Sequence, residues 1–342
     1  MGNKKKHYVG IDLGTSNLLI YVEGQGTLFN EPSVIAVDNK TQQVVAVGFE
    51  AARLIGKTHS QVRIIRPLQG GTITDIKMIE KLLSYTLEKI FISEMNLVDK
   101  LLICIPSRIT ETEKNAIKEL GHSLGIANTS IDEEIKAAAI GSGLDIFVPK
   151  GVMVVDIGGG TTDIGLLSLG EVVSSTSIKV AGDYFDRRII EYIKSERKLE
   201  IGNQTAEKIK IALSSLTGAY PVDEDGQKIV YSSMGRAVEG GLPQKITIEA
   251  PEIRKILLDC FESIKIALLS ILESAPPELA GDLVDTGILV TGGCSQILGV
   301  VDYLQNIAQV PVFLSEVPMT AVVDGCKKLL KITSKHYFGE VK

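Results

Sequence analysis

Short apolar runs alternate with amphipathic stretches along the chain, and two of the apolar runs share one design. Tyr8–Val9–Gly10–Ile11–Asp12–Leu13–Gly14–Thr15 reads as a strand that stops at Asp-x-Gly-Thr. Met153–Val154–Val155–Asp156–Ile157–Gly158–Gly159–Gly160–Thr161–Thr162 repeats it, with Asp156 lying 144 positions after Asp12. Each run continues into a second β-like stretch, Leu18–Val22 or Ile164–Ser168. Both therefore predict hairpins whose turns carry Asp, Gly and hydroxyl groups. A repeat of this length is too long for a solenoid and points to duplication of a whole domain.

Between the copies, Leu82, Leu83, Leu87 and Ile90 share one face of a predicted helix over 79–91. Leu101–Ile105 reads as a buried strand closed by Pro106. Thr110 and Glu113 have the spacing of a capping box, which predicts a helix over 110–124 ending at Gly125. Ala137–Gly141 lies on another helix. The second half predicts helices over 183–194, 251–272 and 319–330, and a strand over 288–290. Strands alternating with helices imply α/β architecture.

Two segments interrupt the scheme and read as small insertions. The first half comprises 1–32 and 67–150 around an insertion at 33–66. The second comprises 151–181 and 251–319 around an insertion at 182–250, which holds the turn Asp223–Gly226 and β-like runs over 228–231 and 244–248. Residues 320–342 add a closing helix and a basic tail.

Composition narrows the class. The 342 residues are 44 % hydrophobic and 23 % charged, which excludes a largely disordered chain, and the net charge of −6 argues against a general nucleic-acid binder. No apolar run is long enough to span a membrane, and Met1–His7 is polar and basic, unlike a signal peptide. Cys104, Cys260, Cys294 and Cys326 are scattered and read as free thiols of a reducing compartment.

The paired turns carry the candidate chemistry. Two Asp-x-Gly hairpins, one per half, are expected to face each other across a central cleft. Glycine turns let consecutive N–H groups approach an anion, and Thr15, Ser16, Asn17, Thr161 and Thr162 can add bonds to phosphoryl oxygens. Carboxylates repel phosphate, so Asp12 and Asp156 make sense with a cation between, and Mg²⁺ accepts carboxylates through its waters. An ordinary hairpin turn is the alternative for either copy alone. A third glycine turn, Gly292–Gly293–Cys294, follows a buried strand and could pack against a nucleobase or ribose. Gly56–Lys57–Thr58 imitates the end of a P-loop, but Ala51 stands where its first glycine belongs, so a helix capped by Gly56 is expected. The histidines at 7, 59, 122 and 336 form no metal or triad pattern.

Gly10–Asn17 and Asp156–Thr162 resemble the two phosphate motifs of the actin, sugar kinase and heat-shock chaperone superfamily. Asn30–Val34, Ile65–Pro67, Pro106–Thr110, Ala137–Gly141, Ala181–Asp186, Thr205–Lys210, Thr217–Pro221, Gly241–Pro243 and Pro276–Ala280 narrow the resemblance to the MreB family of bacterial actins, from about residue 8 to 331. The resemblance implies an actin-like ATPase fold: two duplicated RNase H-like domains with small inserted subdomains and a nucleotide cleft between them, binding ATP or ADP with Mg²⁺. By similarity Asp12 and Asp156 hold the waters of the Mg²⁺. Gly14, Thr15, Ser16 and Asn17, with Gly158, Gly159, Gly160 and Thr161, hold the phosphates. Gly182, Asp183, Glu207, Lys210, Gly292, Gly293 and Cys294 line the rest of the nucleotide site. Glu134, Asp156 and Thr161 would serve a slow hydrolysis in which Glu134 helps orient the attacking water, since phosphoryl transfer rests mainly on positioning and charge stabilisation. For Glu134 a solvated carboxylate at a helix start is the competing reading.

Three positions depart from the family pattern. Ile135 stands where relatives usually have proline, Asp163 where many have Glu, and Cys294 in place of a third glycine. Nucleotide binding is expected to survive all three, while Ile135 and Asp163 bear on hydrolysis.

Partners also follow from the resemblance: the chain itself, in head-to-tail protofilaments paired antiparallel, other cytoskeletal or morphogenesis proteins, and anionic membrane lipids at the inner face of the cell membrane, with no nucleic acid. Candidate membrane residues are Leu97 and Val98 in a loop with Met95 and Asn96, and Lys327, Lys328, Lys331 and Lys335 in a tail whose net charge from 327 to 342 is +4. The function implied is a cytoplasmic, ATP-dependent polymerising protein that determines cell shape. The alternative is a small-metabolite kinase of the same superfamily, which would need a catalytic base facing a second substrate.

Overall fold

The computed structural model describes residues 6–58, 60–92, 97–107 and 109–332. These form two compact units. The first holds the described residues up to Lys150, Leu167–Val173, and those from Met319 onward; the second holds Gly151–Leu166 and Ser174–Pro318.

The first unit is built on a five-stranded sheet with spatial order Asn128–Glu133, Val98–Ile105, His7–Leu13, Asn17–Val22, Gly26–Pro32. The three N-terminal strands run antiparallel; Val98–Ile105 pairs in parallel with His7–Leu13, and Asn128–Glu133 pairs in parallel with Val98–Ile105. Both faces of the central strand are covered, as parallel pairing requires. Val9, Ile11 and Leu13 pack with Ile79, Leu82, Leu83 and Leu87 of the helix Ile76–Phe91, all at most 1 % exposed. Each such side chain contributes about 1.5–3 kcal/mol relative to exposure. On the other face Gly10 lets the helix Ala321–Leu329 come close: a Cβ at Gly10 would lie 2.7 Å from Cys326 Cβ.

The same helix crosses Glu134–Gly141 at backbone distance, because Gly141 faces the Ala321 carbonyl and Gly325 faces the Ala137 carbonyl. The Ala-Ala-Ala-Ile-Gly run is thus a packing surface. The expected capping box is present: Thr110 Oγ1 accepts from Glu113 N at 3.2 Å, and Glu113 Oε2 accepts from Thr110 N at 2.9 Å, starting the helix Glu111–Ser123. The insertion carries a three-stranded sheet, Val44–Val47, Ile35–Asp38 and Val62–Ile65.

The sheet of the second unit has the order Glu171–Ile178, Thr162–Ser168, Val152–Ile157, Ile288–Thr291, Val312–Leu314. Taken by chain position, this is the strand order of the first sheet, so the duplication read from two short runs extends to five strands. The helices Gly182–Arg197 and Ala250–Ser274 share its core through Phe185 and Phe261, whose rings stack with centroids 5.6 Å apart. A second small sheet, Leu199–Glu200, Val230–Ala237 and Pro243–Glu249, accompanies the helix Asn203–Leu213.

Several elements differ from expectation. The helix near the false P-loop spans only Gly48–Ala52, and Gly56 (φ +73°) sits in the following turn instead of capping it. The β-run expected at 228–231 is a longer strand, Val230–Ala237. Strands Gly26–Pro32 and Glu171–Ile178 were not foreseen; both are half-exposed sheet edges with a weak apolar pattern. All four cysteines are free and buried, and Cys104 Sγ lies 3.1 Å from Cys326 Sγ. Among the described residues no helix is long and apolar enough to cross a membrane.

Candidate functional site

In the first unit Asp12 is the penultimate residue of the central strand, opposite Leu19 on one side and Cys104 on the other. It is half-buried, and burial pushes its carboxyl up to about 7. The following turn is tight: a Cβ at Gly14 would lie 2.6 Å from the Asn17 carbonyl oxygen. Ser33 Oγ donates to the Gly14 carbonyl at 2.6 Å, and Ser33 N donates to the Ser16 carbonyl at 2.8 Å. Thr15 Oγ1 accepts from Gly71 N at 3.1 Å, which leaves its own proton for an anion. The turn of Gly14, Thr15, Ser16 and Asn17 is thus braced by Ser33 and Gly71, two residues that sequence reasoning gave no role.

Glu134 opens its helix directly after the strand Asn128–Glu133 and is 9 % exposed. Beside it, Asp132 Oδ1 accepts from Glu133 N at 2.9 Å and lies 3.6 Å from Lys136 Nζ. Burial raises the Asp132 carboxyl, against the pull of Lys136. Ile135, the next residue of that helix, is fully buried.

The second unit repeats the arrangement. Asp156 is again penultimate in the central strand, paired with Thr291 of the parallel neighbour, and is 8 % exposed. The turn of Gly158, Gly159, Gly160 and Thr161 closes with Gly158 N donating to the Thr161 carbonyl at 2.9 Å. Gly182 N and Asp183 N, at the start of their helix, donate to the carbonyls of Gly158 (3.2 Å) and Gly159 (2.7 Å). Amide groups that a helix leaves unpaired are here spent on holding the turn. Thr162 is fully buried and its hydroxyl donates to the Val180 carbonyl at 2.6 Å, so it belongs to the scaffold and not to a phosphate contact. Asp163 is also buried.

Gly292 (φ +84°, ψ 162°) approaches Asp156 so closely that a Cβ would lie 2.2 Å from Asp156 Oδ1. Gly293 is exposed, and Cys294 is 8 % exposed with its thiol pushed up to about 11 by burial. Lys210 Nζ donates to Asp186 Oδ2 at 3.0 Å and to the Gly182 carbonyl at 3.1 Å. Glu207, one turn earlier, is exposed. The structure therefore gathers Asp156, Gly158–Thr161, Gly182, Asp183, Lys210, Gly292 and Cys294 in one unit, and Asp12 with Gly14–Asn17 in the other. Asp186 lies inside the quoted Ala181–Asp186 motif, but only the fold shows its partner.

The residues suit nucleotide and Mg²⁺. A carboxyl desolvated to about 7 is a group that a divalent cation would keep ionised, and Gly292 lets the backbone pass directly against Asp156, where a Cβ would clash with Oδ1. Among the described residues no three His, Cys, Asp or Glu side chains form a metal cluster, so a cation here would rely on its waters and on phosphate oxygens.

The membrane candidates fare unevenly. Val98 is 6 % exposed in the first unit's core, which removes it as a membrane contact; Leu97 is half-buried. Lys328 Nζ donates to the Ile140 carbonyl at 2.5 Å, so its ammonium is engaged by a helix end. Lys327 and Lys331 are exposed. Lys335, Met95 and Asn96 lie outside the described residues.

Two sheets of one strand order, each ending its central strand in an Asp and a glycine turn, define an actin-like protein. The MreB/Mbl protein family model matches residues 6–337, and the chain belongs to that family. It is 43 % identical to the cell shape-determining protein Mbl of Bacillus subtilis over 94 % of this chain and 95 % of that protein. It is 38 % identical to the cell shape-determining protein MreB of Escherichia coli K12, covering 96 % and 94 %. A crystal structure of MreB5 from Spiroplasma citri bound to AMPPNP superposes with TM-score 0.89 at 38 % identity, covering 96 % of this chain and 97 % of that one. The ADP-bound form gives 0.88 at 37 %.

Proposed function

We propose that this protein is an ATP-dependent bacterial actin that polymerises to determine cell shape. The observation that carries this reading is the repeated half-site: the same Asp and glycine turn at the same place in two sheets of one strand order. Asp12 and Asp156 would hold Mg²⁺ through its waters, and the glycine turns would hold the phosphates of one ATP or ADP. The metal would supply charge neutralisation at the phosphates. Lys210, Gly292 and Cys294, with Glu207, would border the adenosine end. Glu134 and Thr161 would orient water for slow hydrolysis, with Glu134 fixed by the strand that leads straight into its helix.

The relatives bound to AMPPNP and ADP, and the cell shape-determining relatives, support this reading. Self-association is head-to-tail, a contact that does not close and so gives filaments, with protofilaments paired antiparallel. Exposed Lys327 and Lys331, with Lys335, give a basic segment worth about 1 kcal/mol per residue near an anionic leaflet. They would place the filament at the inner face of the membrane, where other morphogenesis proteins could join it.

Sedimentation of purified protein with and without Mg-ATP, with the pellet viewed by negative stain, tests the reading. Nucleotide-dependent paired straight filaments are expected. Monomers under every salt condition, together with phosphoryl transfer to a small metabolite, would establish the kinase instead.

A further inference from the structure

Asp186 and Lys210 form an ion pair that joins two helices of the second unit. Their side chains are each 11 % exposed and 3.0 Å apart. Lys210 carries three donors, of which one goes to Asp186 and one to the Gly182 carbonyl, leaving one for a ligand. Gly182 in turn donates its amide to the Gly158 carbonyl of the second glycine turn. The carboxylate of Asp186 is therefore linked, through Lys210 and Gly182, to the segment that would hold phosphate. Space around the ammonium is scarce: a Cβ at Gly182 would lie 3.2 Å from both Lys210 Nζ and Cys294 Sγ.

We propose that Asp186 is a positioning residue for nucleotide, its ionised carboxylate holding the Lys210 ammonium against Gly182 and so fixing the adenosine side of the site. This rests on the nucleotide reading above. A free lysine stem samples many rotamers, and a nearly buried one without its counter-charge loses its place or its proton. Removing one partner of a buried pair leaves the other uncompensated, so the effect on binding should be large for a residue that touches no ligand. The groups facing Asp186 are Lys210 and Glu207 from the neighbouring helix, Asp183 from its own, and the Cys294 thiol from the turn after Ile288–Thr291. Burial raises the Asp186 carboxyl to about 6, so the pair is ionised at neutral pH and loses its charge in mild acid.

The test is calorimetric titration of the full chain with Mg-ADP, comparing wild type with Asp186→Asn and Asp186→Glu between pH 5 and 7.5. At pH 7.5, Asp186→Asn should weaken binding about tenfold, with Asp186→Glu recovering part of the loss. The ratio of the two dissociation constants should shrink below about threefold at pH 5, where the wild-type carboxyl is itself neutral. A structural defect would leave that ratio constant, and titration of the phosphates or of Asp12 cancels in it. Should Asp186→Asn fail to fold by circular dichroism, the neutral pair Asp186→Asn with Lys210→Gln replaces it. That pair should bind no more weakly than Lys210→Gln alone, and a further loss beyond that of Lys210→Gln would overturn the proposal. An Asp186→Asn protein that binds like wild type, or a ratio independent of pH, also overturns it. Wild type that does not bind Mg-ADP at all overturns the nucleotide reading itself.

Discussion

Gly292 leaves no room for a side chain beside Asp156: a Cβ there would lie 2.2 Å from Asp156 Oδ1 and 2.5 Å from the Ile157 carbonyl oxygen. Its backbone, at φ +84° and ψ 162°, lies in a region that other residues scarcely reach. The glycine thus serves the carboxylate that would face the metal.

Gly292→Ala should therefore act on both stability and ligand binding. Strain of this kind costs about 1–3 kcal/mol, and the displaced Asp156 should weaken Mg-nucleotide binding by at least tenfold on that scale. Urea unfolding and titration with Mg-ADP measure the two effects. An alanine variant that binds normally would show that Asp156 does not depend on this approach.

Gly325 makes the complementary point away from the site. A Cβ there would lie 1.9 Å from the Ala137 carbonyl oxygen, on backbone that cannot move aside without shifting Glu134–Gly141. Gly325→Ala should destabilise by about 3 kcal/mol, at the upper end of the usual cost of overpacking. Because Glu134 opens the displaced helix, ATPase rate should fall more than ADP affinity, which paired kinetic and binding assays would reveal.

The stability of the second unit should carry a pH signature from Asp186. A carboxyl raised from 3.8 to about 6 holds its proton more tightly in the folded chain than in the unfolded one. Its stabilising contribution is complete below its ordinary value and is lost as pH rises through about 6. Wild type should gain on Asp186→Asn by up to about 3 kcal/mol as pH falls from 7.5 to 4, seen in urea unfolding without nucleotide. The sign is opposite to that expected for Mg-ADP binding, so stability and affinity separate the two effects of one carboxylate.

Thiol chemistry should be silent in the native protein. Burial pushes Cys260 and Cys294 up to about 11, and the hydrogen bond with Cys326, together with burial, raises Cys104. Few thiolates exist at pH 8, and access is closed. Reaction with a disulfide reagent should show almost no fast phase, then four thiols on unfolding in guanidinium. Fast native labelling of Cys294 would mean that the turn after Gly292 opens readily.

The elements legible in the residues are those whose cause is local. The capping box of Thr110 and Glu113 links positions three apart, and the helix Ile76–Phe91 shows its buried face in its own periodicity. The Asp-x-Gly turns were equally plain, because a strand end, a carboxylate and a glycine fit within a few residues. Where tertiary packing intervenes, local reading fails. Nothing in the residues near Gly56 shows that the helix stops at Ala52, and nothing beside Val98 shows that it points into the core.

Family and fold class were thus determined by the sequence alone, since each is encoded in short runs whose chemistry is self-contained. Only the tertiary structure decided that Ser33 braces Gly14, that Asp186 holds Lys210, and that Thr162 serves the scaffold instead of a ligand. The pairs span 19, 24 and 18 positions, and a hydrogen bond between such residues exists only after the intervening chain has folded back. Local sequence specifies which groups are available; the packing of distant segments selects their partners.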